Sequence, residues 1–201
     1  MAAPASAPRI GILGGTFDPP HLGHVAAGRA AVEALDLDRL LLMVANDPWQ
    51  KSAQRAVSPV EDRLALTEAL AGHIRRAEVS TLELDRGGPS YSVDTAEALR
   101  TEAGPAQLYL VIGADLVSEL GSWHRPEDLK ELVTLAVVAR PGTPRPAVPP
   151  GWRAVWIEGS YVDVSSSEVR RRLAAGSPID ELVPQEVISC IARRGLYAVG
   201  R

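Results

Sequence analysis

The sequence predicts an α/β fold with a doubly wound, mainly parallel sheet, and three observations carry that prediction. Short β-type runs alternate with runs of helical spacing along nearly the whole chain, the order from which βαβ units are built. The strand candidates are apolar without interruption, as in Arg39–Val44 (RLLLMV), which a sheet covered on both faces requires. Glycines stop these runs, Gly14-Gly15 after the first and Gly113 after the fourth, and ligands of open parallel sheets sit beyond the C-terminal strand ends.

Arg9–Leu13 (RIGIL) is the first strand, and Leu22–Leu35 follows with Val25, Ala26, Ala30, Val32 and Ala34 at helical spacing. Arg39–Val44 is the second strand, and a polar loop runs from Ala45 to Arg55. Ser58-Pro59-Val60-Glu61 reads as a helix start, with Ser58 as N-cap, proline in the first turn and glutamate three residues on. That helix runs to Ala71, and Gly72 ends it. Ala77–Leu84 is the third strand, Asp85–Tyr91 a Gly/Pro turn and Ser92–Arg100 a helix. Gln107–Ile112 is the fourth strand, short helices cover Asp115–Leu120 and Pro126–Leu132, and Thr134–Ala139 is the fifth strand. Five prolines and two glycines make 140–151 a surface loop or a partial boundary. Ala154–Ile157 is a sixth strand candidate, and helices over Ser166–Ala175 and Pro184–Arg193 close the chain. The reading is one domain over 1–201: a frayed tail at 1–8, an α/β core over about 9–160 and a C-terminal helical portion over about 161–201.

Composition narrows the function. With 46% hydrophobic and 23% charged residues in 201, the chain can bury a full core and is not disordered. Its one cysteine, Cys190, rules out an internal disulfide, a four-cysteine zinc site and an iron–sulfur cluster. No apolar run reaches membrane-spanning length, and Met1–Arg9 lacks the apolar core of a signal peptide, so a cytoplasmic protein without a membrane partner is expected. A net charge of −4 argues against general nucleic-acid binding, so any phosphate chemistry has to use a local cluster of donors. Of 21 basic residues only Lys51 and Lys130 are lysine, which raises the question of point-charge chemistry; Lys130 reads as a surface residue kept by chance.

The loop after the first strand is the densest in chemistry: Gly14-Gly15-Thr16-Phe17-Asp18-Pro19-Pro20-His21-Leu22-Gly23-His24. Two glycines after a buried strand let backbone approach a ligand, and the helix that follows offers free amides and a positive dipole end to an anion. His21 and His24, three apart, share a helix face. The loop is neither a dinucleotide fingerprint nor a P-loop. Zinc would need a third ligand, for which Asp18 is the nearby candidate, and no resident metal is expected.

This loop resembles the GGTFDPxHxGH signature of the nucleotidyltransferase superfamily related to class I aminoacyl-tRNA synthetases, and its double-glycine form is similar to that of nicotinate-nucleotide adenylyltransferases. The resemblance extends from about Arg9 to Tyr197. It implies a Rossmann-like fold, ATP held at Gly14, Gly15, Thr16 and Phe17, and His21 and His24 as catalytic contacts to phosphate. Val164-Ser165-Ser166-Ser167-Glu168-Val169-Arg170 opens a late helix; Ser165 with Glu168 makes a capping box, and the hydroxyl-rich start with an arginine one turn in also suits phosphate. It resembles the family's Ile-Ser-Ser/Ala-Thr-x-x-Arg element, which implies that Ser165, Ser166 and Arg170 hold the outer phosphates.

Gly113-Ala114-Asp115 stands at the ligand edge, where an acid accepts from ribose hydroxyls or serves equally as an N-cap. The resemblance implies that Gly113 lies near adenine, that Asp115 binds a ribose and that Trp123, beside His124, stacks on the pyridine ring. Ser90-Tyr91-Ser92-Val93-Asp94-Thr95 resembles the family's Ser-Tyr-Thr-x-Asp-Thr element, with Ser92 where threonine is usual, and Asn46–Lys51 resembles its loop ending in lysine, with Val44 in place of a proline. Lys51, Tyr91, Ser92, Trp123 and His124 are thereby implied in binding the mononucleotide. The expected reaction joins ATP, with Mg²⁺, to nicotinate mononucleotide; self-association into a homo-oligomer is left open. Other readings are pantetheine-phosphate adenylylation and a non-catalytic nucleotide-binding regulator on the same fold.

Overall fold

The computed structural model describes residues 7–47, 57–139, 142–159 and 162–197. Its elements follow in the order β1 (Arg9–Gly15), α1 (Leu22–Leu35), β2 (Arg39–Val44), α2 (Val60–Ala71), β3 (Ala77–Ser80), α3 (Leu82–Arg86), α4 (Ser92–Ala103), β4 (Gln107–Gly113), a 3₁₀ helix (Ala114–Ser122), α5 (Pro126–Leu132), β5 (Val133–Val138), β6 (Ala154–Ile157), α6 (Ser166–Ala174) and α7 (Gln185–Arg194). The six strands are all parallel, in the order β3-β2-β1-β4-β5-β6, so the chain winds outward from the centre in two halves.

Strand alternation splits the core in two. Leu40, Leu42 and Val44 of β2 join Leu66 and Leu70 of α2 and Val187 and Ile191 of α7 on one face. Leu41 and Met43 join Ile10 and Ile12 of β1 and Val93, Ala96 and Leu99 of α4 on the other. Because successive side chains point to opposite faces, an unbroken apolar run is what two cores demand. Glycine sets the spacing between layers: a Cβ on Gly28 of α1 would stand 2.8 Å from Ile74 Cδ1 and 3.0 Å from Leu40 Cδ2.

The structure changes four expectations. β1 runs through Gly14 and Gly15, which pair with Met43 and Val44, so the glycines end the ladder instead of interrupting it. The third strand stops at Ser80, and the segment expected to continue it winds into α3. Ser58 is not the N-cap of α2; Pro59 is, while Ser58 gives its amide to Asp18 and its carbonyl to Arg63. α4 runs on to Ala103, where Gly104, with φ 66°, closes it.

Candidate active site

Strand order reverses between β1, whose crossover leads outward to β2, and β4, which starts the other half. Open sheets leave a crevice at that point, and here a cleft of about 850 Å³ opens over the C-terminal ends of both strands. Gly14, Gly15, Thr16, His21, His24, Tyr91, Ser92, Gly113, Asp115, Trp123, His124 and Ser165 all line it, which gathers most of the expected site residues from elements and loops spread along the chain.

Gly14 is exposed, and a Cβ there would meet nothing within 4 Å, so its backbone is bare to the cleft. Gly15 differs: a Cβ would stand 3.1 Å from the ring of Phe17. Phe17 is 1% exposed and does not line the cleft. Its ring supports Gly15 from beneath and lies 5.0 Å from the ring of His24, so what Phe17 can offer the cleft is its backbone. His21 is the N-cap of α1 and His24 its third residue. The two rings lie against each other with centroids 3.8 Å apart and planes tilted by 37°, and the His21 amide donates to His24 Nδ1 at 3.1 Å. A nitrogen that accepts carries no hydrogen, so the neutral His24 ring holds its proton on Nε2 as a donor.

Two of the expected phosphate ligands bond to the loop after β1. Ser166 Oγ donates to the carbonyl of Pro19 at 2.8 Å, and Arg170 donates from Nη1 to the carbonyl of Asp18 at 2.5 Å and from Nη2 to Ser167 Oγ at 3.1 Å. Neither lines the cleft; both fasten the glycine loop to α6. Ser165 lines the cleft and caps α6 by accepting the Glu168 amide at 3.2 Å. The reciprocal half of the expected capping box is replaced: the Glu168 carboxylate binds Arg171 and Arg172, and their hydrogen bonds hold its pKa down to about 2.

At the end of β4, Asp115 folds back over Gly113, so closely that a Cβ on residue 113 would stand 2.4 Å from Oδ1. Gly113 is the N-cap of the 3₁₀ helix, which removes the N-cap reading of Asp115 and leaves its exposed carboxylate at the cleft. Trp123 terminates that helix, and its indole Nε1 is buried without a hydrogen-bond partner among the described residues. The His124 ring stacks on Tyr91 at 4.1 Å with an interplanar angle of 22°. Ser90 Oγ accepts the Asn46 amide at 2.9 Å, and Asn46 Nδ2 donates to Gly88, which ties the loop after β2 to the turn that carries Tyr91 and Ser92. Lys51 lies outside the described residues. Among those described, no group of three His, Cys, Asp or Glu residues could hold a metal ion, and no helix is long and apolar enough to cross a membrane.

A cytidylyltransferase-like family model matches residues 12–172. A Corynebacterium kroppenstedtii protein named "Probable nicotinate-nucleotide adenylyltransferase" is 37% identical over 200 residues, covering 98% of this chain and 94% of that one. A Thermus thermophilus protein of the same name is 41% identical over 189 residues, covering 94% and 99%. This chain belongs to the nicotinate-nucleotide adenylyltransferase family. Its fold is shared with the Plasmodium falciparum nicotinic acid mononucleotide adenylyltransferase solved with NaAD, at a TM-score of 0.78 and 17% identity over 94% of this chain and 97% of that one. The same parasite enzyme solved with APC gives 0.77 and 16%.

Four residues of this nicotinate-nucleotide adenylyltransferase family member were not singled out by the sequence. Arg63, 2% exposed, donates to the carbonyls of Ser58, Thr16, Ala45 and Asn46. Glu83, 6% exposed, lines the cleft and accepts the Thr95 hydroxyl at 2.6 Å. Arg125, with φ 47°, grips Glu97 and Asp128 and so holds the turn that carries Trp123 and His124; those carboxylates hold its pKa above the usual arginine range. Tyr197 donates to Asp18 Oδ1 at 2.7 Å. None of the four stands in a motif whose spacing marks it, so the sequence alone carried no signal for them.

Proposed function

We propose that the protein transfers the adenylyl group of ATP to nicotinate mononucleotide, giving nicotinate adenine dinucleotide and pyrophosphate, a step of NAD biosynthesis. The observation that carries this reading is the close His21–His24 pair, with ring centroids 3.8 Å apart, set between the bare backbone of Gly14 and two flanking subsites: Gly113 with Asp115 for adenosine, and Tyr91, Ser92, Trp123 and His124 for the mononucleotide. A phosphate oxygen of the mononucleotide attacks the α-phosphorus in line. The bond from that phosphorus to the bridging oxygen breaks, and pyrophosphate leaves with the electron pair. The nucleophile is already an anion, so no general base is needed, and catalysis is positioning and charge neutralisation.

His24 Nε2–H and the amides opening α1 donate to the reacting phosphates. A guanidinium has five N–H groups, so Arg170 can grip the departing pyrophosphate while it still holds the Asp18 carbonyl. Bound with ATP, Mg²⁺ would supply neutralisation of phosphate charge, mostly through ATP oxygens and water; Asp18, the carboxylate beside the histidines, is buried and bonded to Tyr197. Lys51 reaches the mononucleotide phosphate, Ser165 borders the outer phosphates of ATP, and Ser166 steadies the loop beside them through the Pro19 carbonyl.

Pyrophosphate release and product mass, measured with ATP and either nicotinate mononucleotide, nicotinamide mononucleotide or phosphopantetheine, test the assignment. Nicotinate mononucleotide should turn over fastest. Faster turnover of either other acceptor overturns the substrate, and nucleotide binding without any pyrophosphate release overturns the enzyme.

A further inference from the structure

We infer that Tyr197 is a positioning residue for the adenylyl-transfer step, fixing the buried Asp18 carboxylate and through it the backbone that presents His21 and His24; the inference rests on the function proposed above. Tyr197 and Asp18 are 179 residues apart, yet the phenol donates to Asp18 Oδ1 at 2.7 Å. Asp18 is 1% exposed, and a buried carboxylate persists only where donors satisfy it. The Ser58 amide supplies a weaker contact to Oδ2 at 3.5 Å. The same stretch is held at its carbonyls by Arg170 on Asp18 and Ser166 on Pro19, and the Leu22 amide donates to the Leu182 carbonyl at 2.9 Å. His21 therefore sits between anchors on either side, and Tyr197, Arg170, Ser166 and Leu182 among them come from the C-terminal portion of the chain.

A tyrosine that merely filled space would need only its ring, and the ring does pack against the core. Two features point to the hydroxyl. Gly195 ends α7 in the left-handed region with φ 61°, and two residues later Tyr197 also adopts φ 62°. A bulky residue there is strained and persists only where its surroundings over-determine it. The reversal this backbone makes is what delivers the phenol to the glycine loop. Burial and the Asp18 charge also push the phenol's pKa up, so it stays a donor at any working pH.

The chain has four histidines, which makes the test direct. Tyr197→Phe is compared with wild type by ¹⁵N-histidine NMR and steady-state kinetics. The His21 and His24 ring resonances should move, while His124 and His73, the latter bonded to Glu186 on α7, report that the rest of the fold is intact. kcat should fall about tenfold with both KM values within about twofold. A folded variant whose His21 and His24 resonances and kcat match wild type overturns the inference, as does a loss of rate with unmoved resonances. If Tyr197→Phe does not fold, Asp18→Asn, which keeps the ring and weakens the acceptor, must move the same two resonances, and unmoved resonances there overturn it equally. The NMR readout needs no substrate, so a wild-type protein that releases no pyrophosphate but shows the shifts fails the proposed function and not this contact.

Discussion

Arg63 donates from Nη1 to the carbonyl of Thr16 at 3.1 Å and, from the same nitrogen, to that of Ala45 at 2.7 Å. One buried guanidinium on α2 thus ties the loop after β1 to the loop after β2. Replacing it by methionine keeps the stem and removes every donor, so several buried carbonyls lose their partner at about 1–3 kcal/mol each before relaxation. We expect Arg63→Met to lower stability by about 3 kcal/mol, which for a chain of this size is about 6–12 °C in Tm. Calorimetry checks this, and a shift under about 2 °C contradicts it.

Gly113→Ala tests the adenosine subsite. The new methyl would meet Asp115 Oδ1 at 2.4 Å, so the carboxylate has to swing away from its place over the strand end. The expected outcome is a rise in KM for ATP of about tenfold with a smaller change for the mononucleotide. An unchanged ATP KM would show that Asp115 binds no ribose.

Trp123 offers two linked outcomes. Its buried indole N–H lacks a partner among the described residues, an unfavourable state for a donor. Trp123→Phe removes that donor, so Tm should stay within about 2 °C of wild type despite the smaller ring, against the several degrees that large-to-small changes usually cost. Trp123→Ala removes the stacking face and should weaken nicotinate and nicotinamide mononucleotides alike, by about 0.5–1.5 kcal/mol beyond lost area. Isothermal titration of both ligands into both variants decides it; unchanged mononucleotide affinity in the alanine variant sinks the stacking role.

Alkaline pH isolates Tyr197. Its folded pKa is raised above the ordinary phenol value of 10.0, first by burial and then by Asp18. A raised folded pKa means that the contribution to stability is complete below the unfolded value and is lost as pH rises past it toward the folded one. The stability difference between wild type and Tyr197→Phe should be flat from about pH 6 to 9 and shrink above about 10, at up to about 1.4 kcal/mol per pH unit. Denaturant titrations that run parallel for the two proteins through pH 11 refute it.

Much of the architecture was legible because it is written in local periodicity. Arg39–Val44 and Ala154–Ile157 were read at their observed bounds, as were Leu22–Leu35 and Pro126–Leu132. The third strand was overestimated for a reason visible only in the sheet. Met43 pairs with Ser80, so β2 has one residue left beyond that point, and β3 has no second neighbour. Leu82 and Leu84 alternate like a strand but have no ladder to join; they wind into α3 and pack into opposite cores.

By itself the sequence determined the parallel winding, the glycine edge, the histidine pair and the family to which these belong, since each depends on residue types at short, regular spacing. The tertiary structure alone decided what holds that edge in place. Arg63 reaches Thr16 across 47 residues, Arg170 reaches Asp18 across 152 and Tyr197 reaches Asp18 across 179. Most of these acceptors are backbone carbonyls, which every residue carries alike, so nothing in the order of side chains marks which carbonyl an arginine or a serine will find. Only the folded path of the chain brings them within hydrogen-bond distance of one another.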